Sequence, residues 1–203
     1  MPLATLYLLL YTYLMIKLII GLGNPDPEYQ NTRHNIGFQF LDYLAKKIDS
    51  PDFEFEKKFN ASAVKGKIDK VAVLLAKPHT YVNKSGESAA KIKTFLKIKP
   101  TDLILIHDDL DIPFGYFKIS FGKSSGGHKG VGSVMKAVKS KEFYRIRIGL
   151  ANSTLKKARS LSDAKRNILV RDFVLSKFTK KETEAISRLF KEIYERLLET
   201  VRL

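Results

Sequence analysis

Short apolar runs alternate with amphipathic stretches along most of this chain. Residues 17–21 centre on Leu18-Ile19-Ile20 and end in a glycine turn, as a strand buried on both faces does. Residues 36–48 carry Phe40, Leu41, Leu44, Ala45 and Ile48 at three- and four-residue spacing, which predicts a helix. Residues 61–67 and 71–76 are β-rich runs on either side of Ile68-Asp69-Lys70 and read as a hairpin. Residues 85–96 predict a second helix. Residues 103–106 form a fully apolar run, a buried strand that ends at His107-Asp108-Asp109. A strand follows at 117–121, then a glycine-rich loop opening a helix at 130–138. Residues 144–150 predict a strand, with Arg145 and Arg147 in alternation. Residues 152–171 are polar and basic with little periodicity and read as a loop or short helix. Residues 182–201 form an amphipathic C-terminal helix. Strands alternating with helices predict an α/β fold: a single-domain sandwich with a mixed, mostly parallel sheet flanked by helices.

At 203 residues the chain is long enough for one domain with a real core. Residues 1–14 depart from this pattern. They are apolar, rich in Tyr and Leu, and lack the basic region and small-residue cleavage site of a signal peptide. They are also shorter than the roughly 20 residues of a membrane span. The expectation is an extension outside the fold, with Met15 as the natural start and residues 15–203 as the domain; a short membrane anchor is the alternative. The absence of cysteine excludes disulfides, thiol catalysis and cysteine-based zinc sites, and fits a reducing compartment such as the cytoplasm.

The net charge of +15 is unevenly placed. Residues 116–181 hold 17 Lys and Arg against Glu142, Asp163 and Asp172, a local balance of +14. A solvated basic surface would explain this, but a charge so concentrated points to a polyanion, nucleic acid first. An anionic membrane surface fits less well, because no basic amphipathic helix stands out there.

Polar clusters follow the predicted strands, where α/β proteins build their sites. The first holds Asn24, Tyr29, His34 and Asn35, the second spans residues 77–86 and the third residues 107–113. A histidine base needs an acceptor on its second ring nitrogen, and Asp108 or Asp109 could supply it. Asn24 and Asn83 can donate to a carbonyl or a developing oxyanion. No covalent nucleophile is evident, since there is no cysteine and no Gly-x-Ser-x-Gly. A histidine acting on water is the chemistry left, against a plain structural histidine. Gly21-Leu22-Gly23 fails as a dinucleotide fingerprint, because Asp26 stands where the third glycine belongs. Metal-ligand spacing is absent from the His and Asp set, although residues 107–111 could in principle hold a divalent ion. Gly126-Gly127-His128-Lys129-Gly130, opening a helix, could take a phosphate or be a simple loop.

Together these segments resemble the bacterial-type peptidyl-tRNA hydrolase family. The resemblance is carried by Gly21-Leu22-Gly23-Asn24-Pro25, Glu28-Tyr29, Thr32-Arg33-His34-Asn35-x-Gly37 and Lys77-Pro78-x-Thr80-Tyr81-x-Asn83-x-Ser85-Gly86. It continues through His107-Asp108-Asp109-Leu110-Asp111-x-Pro113-x-Gly115, Gly126-Gly127-His128-x-Gly130 and Phe143-Tyr144-Arg145-x-Arg147-Ile148-Gly149. These run in order from about residue 16 to the C-terminal helix.

The resemblance implies hydrolysis of the ester joining a peptide to the 3′ ribose of tRNA, without cofactor or metal, by a cytoplasmic monomer. It implies His34 as the base that activates water, Asp108 as its partner and Asn24 as the sensor of the blocked amino group. It places Asn83 and Tyr81 near the scissile ester and Tyr29 along the tRNA end. Lys118, Arg145 and Arg147 become candidates for the tRNA backbone. One departure is visible: Lys129 stands where the family carries asparagine, which keeps hydrogen-bond donors, loses an acceptor and adds charge. This implies activity that is retained but altered. A catalytically weakened RNA-binding module on the same fold is the alternative.

Overall fold

The computed structural model describes residues 16–158 and 160–203. The expected N-terminal extension and the start at Met15 lie outside the described residues.

The chain runs β1 (Ile16–Gly21), α1 (Ile36–Lys47), β2 (Glu54–Glu56), β3 (Ala61–Ile68), β4 (Val71–Pro78), α2 (Gly86–Leu96), β5 (Leu103–Pro113), β6 (Phe117–Phe121), α3 (Lys129–Val138), β7 (Tyr144–Ala151), α4 (Ser153–Ala158), α5 (Asp163–Leu175) and α6 (Lys180–Thr200). Seven strands form one sheet in the order β2-β3-β4-β1-β5-β7-β6. The inner strands β4, β1, β5 and β7 are parallel. The pairs β2–β3, β3–β4 and β6–β7 are antiparallel. This is the expected mixed sheet flanked by helices.

Alternation along each inner strand divides the core into two layers. Ile19, Ile104, Ile106, Ile146 and Ile148 face one side, where they pack with Phe40, Leu41 and Leu44 of α1 and Phe190, Ile193 and Leu197 of α6. Leu18, Ile20, Leu103 and Leu105 face the other, against Ala89 and Ile92 of α2 and Val131 and Val134 of α3. Burial on both faces explains why these strands read as unbroken apolar runs.

Three stretches differ from expectation. Residues 107–113, expected to be a loop, continue β5 beside β7, with Asp108 opposite Ile148 and Asp109 opposite Gly149 and a register shift before Pro113. Gly149 permits this, because a Cβ there would lie 2.2 Å from the Pro113 carbonyl oxygen. Polar side chains at the end of a buried strand masked its length. Residues 152–171 contribute two helices, α4 and most of α5. Phe173 is the only fully buried residue of α5, with Leu169, Val170 and Val174 half-buried against the core, so the narrow apolar contact left little periodic signal. The short edge strand β2 had no apolar pattern to announce it.

Candidate active site

Two glycines bring the site together. A Cβ on Gly37 would lie 2.5 Å from the Ile106 carbonyl oxygen and 2.6 Å from the Leu22 nitrogen. One on Gly21 would lie 2.5 Å from the Gly37 carbonyl oxygen. The first turn of α1 therefore rests directly on the ends of β1 and β5. The preceding 3₁₀ turn, Arg33–Asn35, is pressed against the polar end of β5.

There His34 Nδ1 lies 2.9 Å from Asp108 Oδ1, and His128 Nε2 lies 3.0 Å from the same oxygen. The His128 tautomer is set by α3. Its Nδ1 accepts the N–H groups of Gly130 and Val131 at 3.1 and 3.3 Å, capping the helix, so its Nε2 carries the proton and donates to Asp108. Asp108 is an ionised acceptor, so His34 donates through Nδ1–H and keeps the lone pair on Nε2. The His34 side chain is 19% exposed and that of Asp108 3%, which places a buried anion behind a partly accessible imidazole.

Burial alone would push the Asp108 carboxyl up, but His34 and His128 outweigh it and hold the group far below the usual carboxylate range. Burial likewise pulls the His34 imidazole down; the carboxylate of Asp108 reverses this and leaves it raised above 6.5. His107, despite standing next in the chain, is a different kind of residue. It is fully buried, donates through Nδ1 to the Asp108 carbonyl at 2.7 Å, and packs 4.7 Å from the His128 ring. Burial first, then His128, lowers its pKa to about 3, so it stays neutral.

The amide partners are equally constrained. Asn24 Oδ1 accepts the Val82 N–H at 2.9 Å, which leaves its Nδ2–H₂ as the outward donor. Asn35 fixes the Asn24 backbone from both sides, accepting its N–H and donating to its carbonyl, each at 2.9 Å. The 3₁₀ turn Val82–Lys84 packs on the start of α3, where a Cβ on Gly130 would meet Val82 Cγ1 at 2.5 Å. Asn83 is exposed on that turn. Tyr81 donates its hydroxyl to Asp26 at 2.8 Å and meets Tyr29 edge-on at 6.4 Å, which joins the first two loops at the rim.

His34, Asp108 and His128 can each offer one ligand atom within 4.8 Å of the others, close enough to suggest a metal ion. The helix cap argues against it, because a His128 Nε2 that carries the proton has no lone pair to ligate. The set fits a hydrogen-bonded relay.

The profile of the peptidyl-tRNA hydrolase family matches residues 18–202. The chain belongs to the peptidyl-tRNA hydrolase family. The peptidyl-tRNA hydrolase of a Sulfurihydrogenibium species is 37% identical over 188 residues, 93% of this chain and 92% of that one. That of Mycobacterium marinum is 44% identical over 133 residues, 66% of this chain and 69% of the other. Two crystal structures are similar in fold. A peptidyl-tRNA hydrolase in complex with N-propanol has a TM-score of 0.80 at 31% identity, covering 94% of this chain and 90% of its own. Peptidyl-tRNA hydrolase from Acinetobacter baumannii gives 0.76 at 32%, covering 94% and 88%.

The basic residues of this peptidyl-tRNA hydrolase family member separate into two kinds. Lys118 on β6 is exposed and stands directly opposite Arg147 on β7, a like-charge pair that costs stability unless an anion lies nearby. Arg147 also pairs with Asp109 at 2.8 Å. Arg145, expected as a candidate for the tRNA backbone, lies beneath the surface. It is only 3% exposed, and its guanidinium donates to the Ser124 carbonyl at 2.8 Å, pinning the glycine-rich loop from beneath. The period-two alternation correctly put Arg145 and Arg147 on one face; the loop that covers Arg145 left no trace in it. Lys129 opens α3 and is exposed. Sequence reasoning gave no role to Asn35, Arg33 or His128, and histidine is not among the residues that signal a helix N-cap, so the cap is seen only in the structure. Among the described residues, no helix is long and apolar enough to cross a membrane.

Proposed function

We propose that this chain hydrolyses peptidyl-tRNA with His34 as general base. A water oxygen attacks the ester carbonyl carbon while His34 Nε2 takes its proton. The carbonyl is re-formed as the bond to the ribose 3′ oxygen breaks, and the imidazolium returns the proton to that oxygen, releasing peptide and tRNA. The observation that carries the proposal is the 2.9 Å bond from His34 Nδ1 to a buried carboxylate, which orients the ring and stabilises the imidazolium.

The outward Nδ2–H₂ of Asn24 suits a peptide carbonyl, and Asn83 suits the developing oxyanion. Tyr81 and Tyr29 offer ring faces to the acceptor end. Lys118, Arg147 and Lys129 take phosphates of the tRNA, while Arg145 acts behind them by holding the loop. Lys129 contributes charge where the family has an amide, so activity is retained with a stronger electrostatic share in binding. The chain acts as a monomer in this reading, and its cysteine-free composition fits the cytoplasm.

The test is release of an N-acetylated amino acid from tRNA by the purified protein. His34→Ala abolishes cleavage and leaves tRNA binding nearly intact. Full activity of that variant would falsify the mechanism.

A further inference from the structure

Arg33 immediately precedes the base, yet its side chain turns away from the site. It is 7% exposed and runs to the corner between α5 and α6. One terminal nitrogen donates to Ser176 Oγ at 2.7 Å and to the Lys177 carbonyl. The other donates to both carboxylate oxygens of Glu182, at 2.9 and 2.7 Å. The guanidinium carbon lies 4.8 Å from the ring centre of Phe173 and 5.1 Å from that of Phe178. The backbone is joined as well. Arg33 N–H donates to the Ser176 carbonyl at 3.0 Å, and Thr32 forms an isolated bridge with Lys177. Glu182 is fixed in turn by the capping box of α6, accepting the Thr179 N–H at 2.8 Å.

This degree of constraint exceeds what stability requires. A buried ion pair contributes little net stability compared with an apolar substitute, because both charges must be desolvated. A planar fork held by four oxygens and two rings does fix direction. The turn Arg33–Asn35 is too short to orient His34 by its own hydrogen bonds. Its outer residues do so instead, Asn35 bonding Asn24 and Arg33 bonding the corner, with His34 between them on Asp108. The corner is also where α5, exposed and carrying Lys165, Arg166 and Arg171, meets the catalytic turn.

We infer that Arg33 is a positioning residue for His34, locking the catalytic turn onto the α5–α6 corner so that the imidazole stays on Asp108. This rests on the reading of His34 as the base. It follows that loosening Arg33 lowers turnover and leaves tRNA affinity in place.

Steady-state cleavage of N-acetyl-aminoacyl-tRNA by Arg33→Lys, Arg33→Gln and Glu182→Gln tests this, with His34 followed by NMR through a pH titration. The expected result is a fall in kcat of about ten- to a hundredfold, the scale of an ångström-level misplacement, at nearly constant KM. The His34 pKa should fall in the same variants, as the ring loses Asp108. Folded variants with parental kcat and parental His34 titration would overturn the inference, as would a loss confined to KM. Glu182→Gln keeps the guanidinium between its two rings, and decides the matter if the arginine variants do not fold. An inactive His34→Ala beside fully active Arg33 and Glu182 variants would reject the positioning role alone. An active His34→Ala would reject the base itself.

Discussion

Replacing Asp108 by asparagine isolates the charge behind the proposed base, His34. Both imidazoles donate to one oxygen of Asp108, Oδ1, at 2.9 and 3.0 Å. An asparagine can keep an oxygen at that point, so the geometry survives and the charge is lost. Unit charges about 4 Å apart interact by about 4 kcal/mol at an effective dielectric of about 20. At about 1.36 kcal/mol per decade, losing this stabilisation of the forming imidazolium slows cleavage about 10³-fold. The assay is single-turnover release of an N-acetylated amino acid from tRNA at saturating enzyme, read as a function of pH. Saturation separates the chemical step from tRNA binding. His34→Ala should be slower than the single asparagine variant, and adding Asp108→Asn to it should cost little more, because the two groups act as one unit. A variant within about tenfold of the parent, with its pH profile unmoved, would show that the carboxylate does not support the base.

Further predictions concern pH, packing and charge. His34 must be neutral to take a proton, and its pKa is raised above 6.5, so activity is lost as pH falls through a value above 6.5; Asp108→Asn leaves burial unopposed and moves that acid limb down. The pH dependence of kcat measures both. Asp108 contributes stability that is also lost on acidification, but in a lower pH range. Its folded pKa lies below the ordinary 3.8, so its contribution is present above that value and is lost as pH falls, which acid unfolding of parent and variant can compare. Gly37→Ala forces a methyl group to within 2.6 Å of three backbone atoms, and should lower stability by about 1–3 kcal/mol, read by denaturant midpoint; an unchanged midpoint would mean that α1 does not rest on the strand ends as described. Lys129→Asn should retain cleavage and reduce the dependence of tRNA binding on log salt by about one ion; an unchanged slope would remove Lys129 from the phosphate contacts.

The amino-acid pattern alone determined the frame. Burial on both faces wrote the parallel strands as apolar runs, and the amphipathic helices announced themselves by their spacing. His34, Asp108, Asn24 and Asn83 stood out as candidates because they fall in polar motifs that stand in series along the chain. What neighbours each side chain was not legible. Nothing local says that Asp108 rather than Asp109 meets His34, since that follows from strand alternation at the end of β5 and from Gly37 seating α1 on it. Nothing local says that His128 supplies the second donor while His107, one residue before Asp108, is sealed inside. Arg145 and Arg147 look alike in the chain, yet one lies under the glycine-rich loop and the other beside Asp109. Arg33 and Glu182 are 149 residues apart and meet only in the folded chain. Secondary structure follows from short-range periodicity and burial, which a sequence records. Hydrogen-bond partners, tautomers and shifted pKa values depend on distances between segments remote in the chain, and only the packed structure decides those.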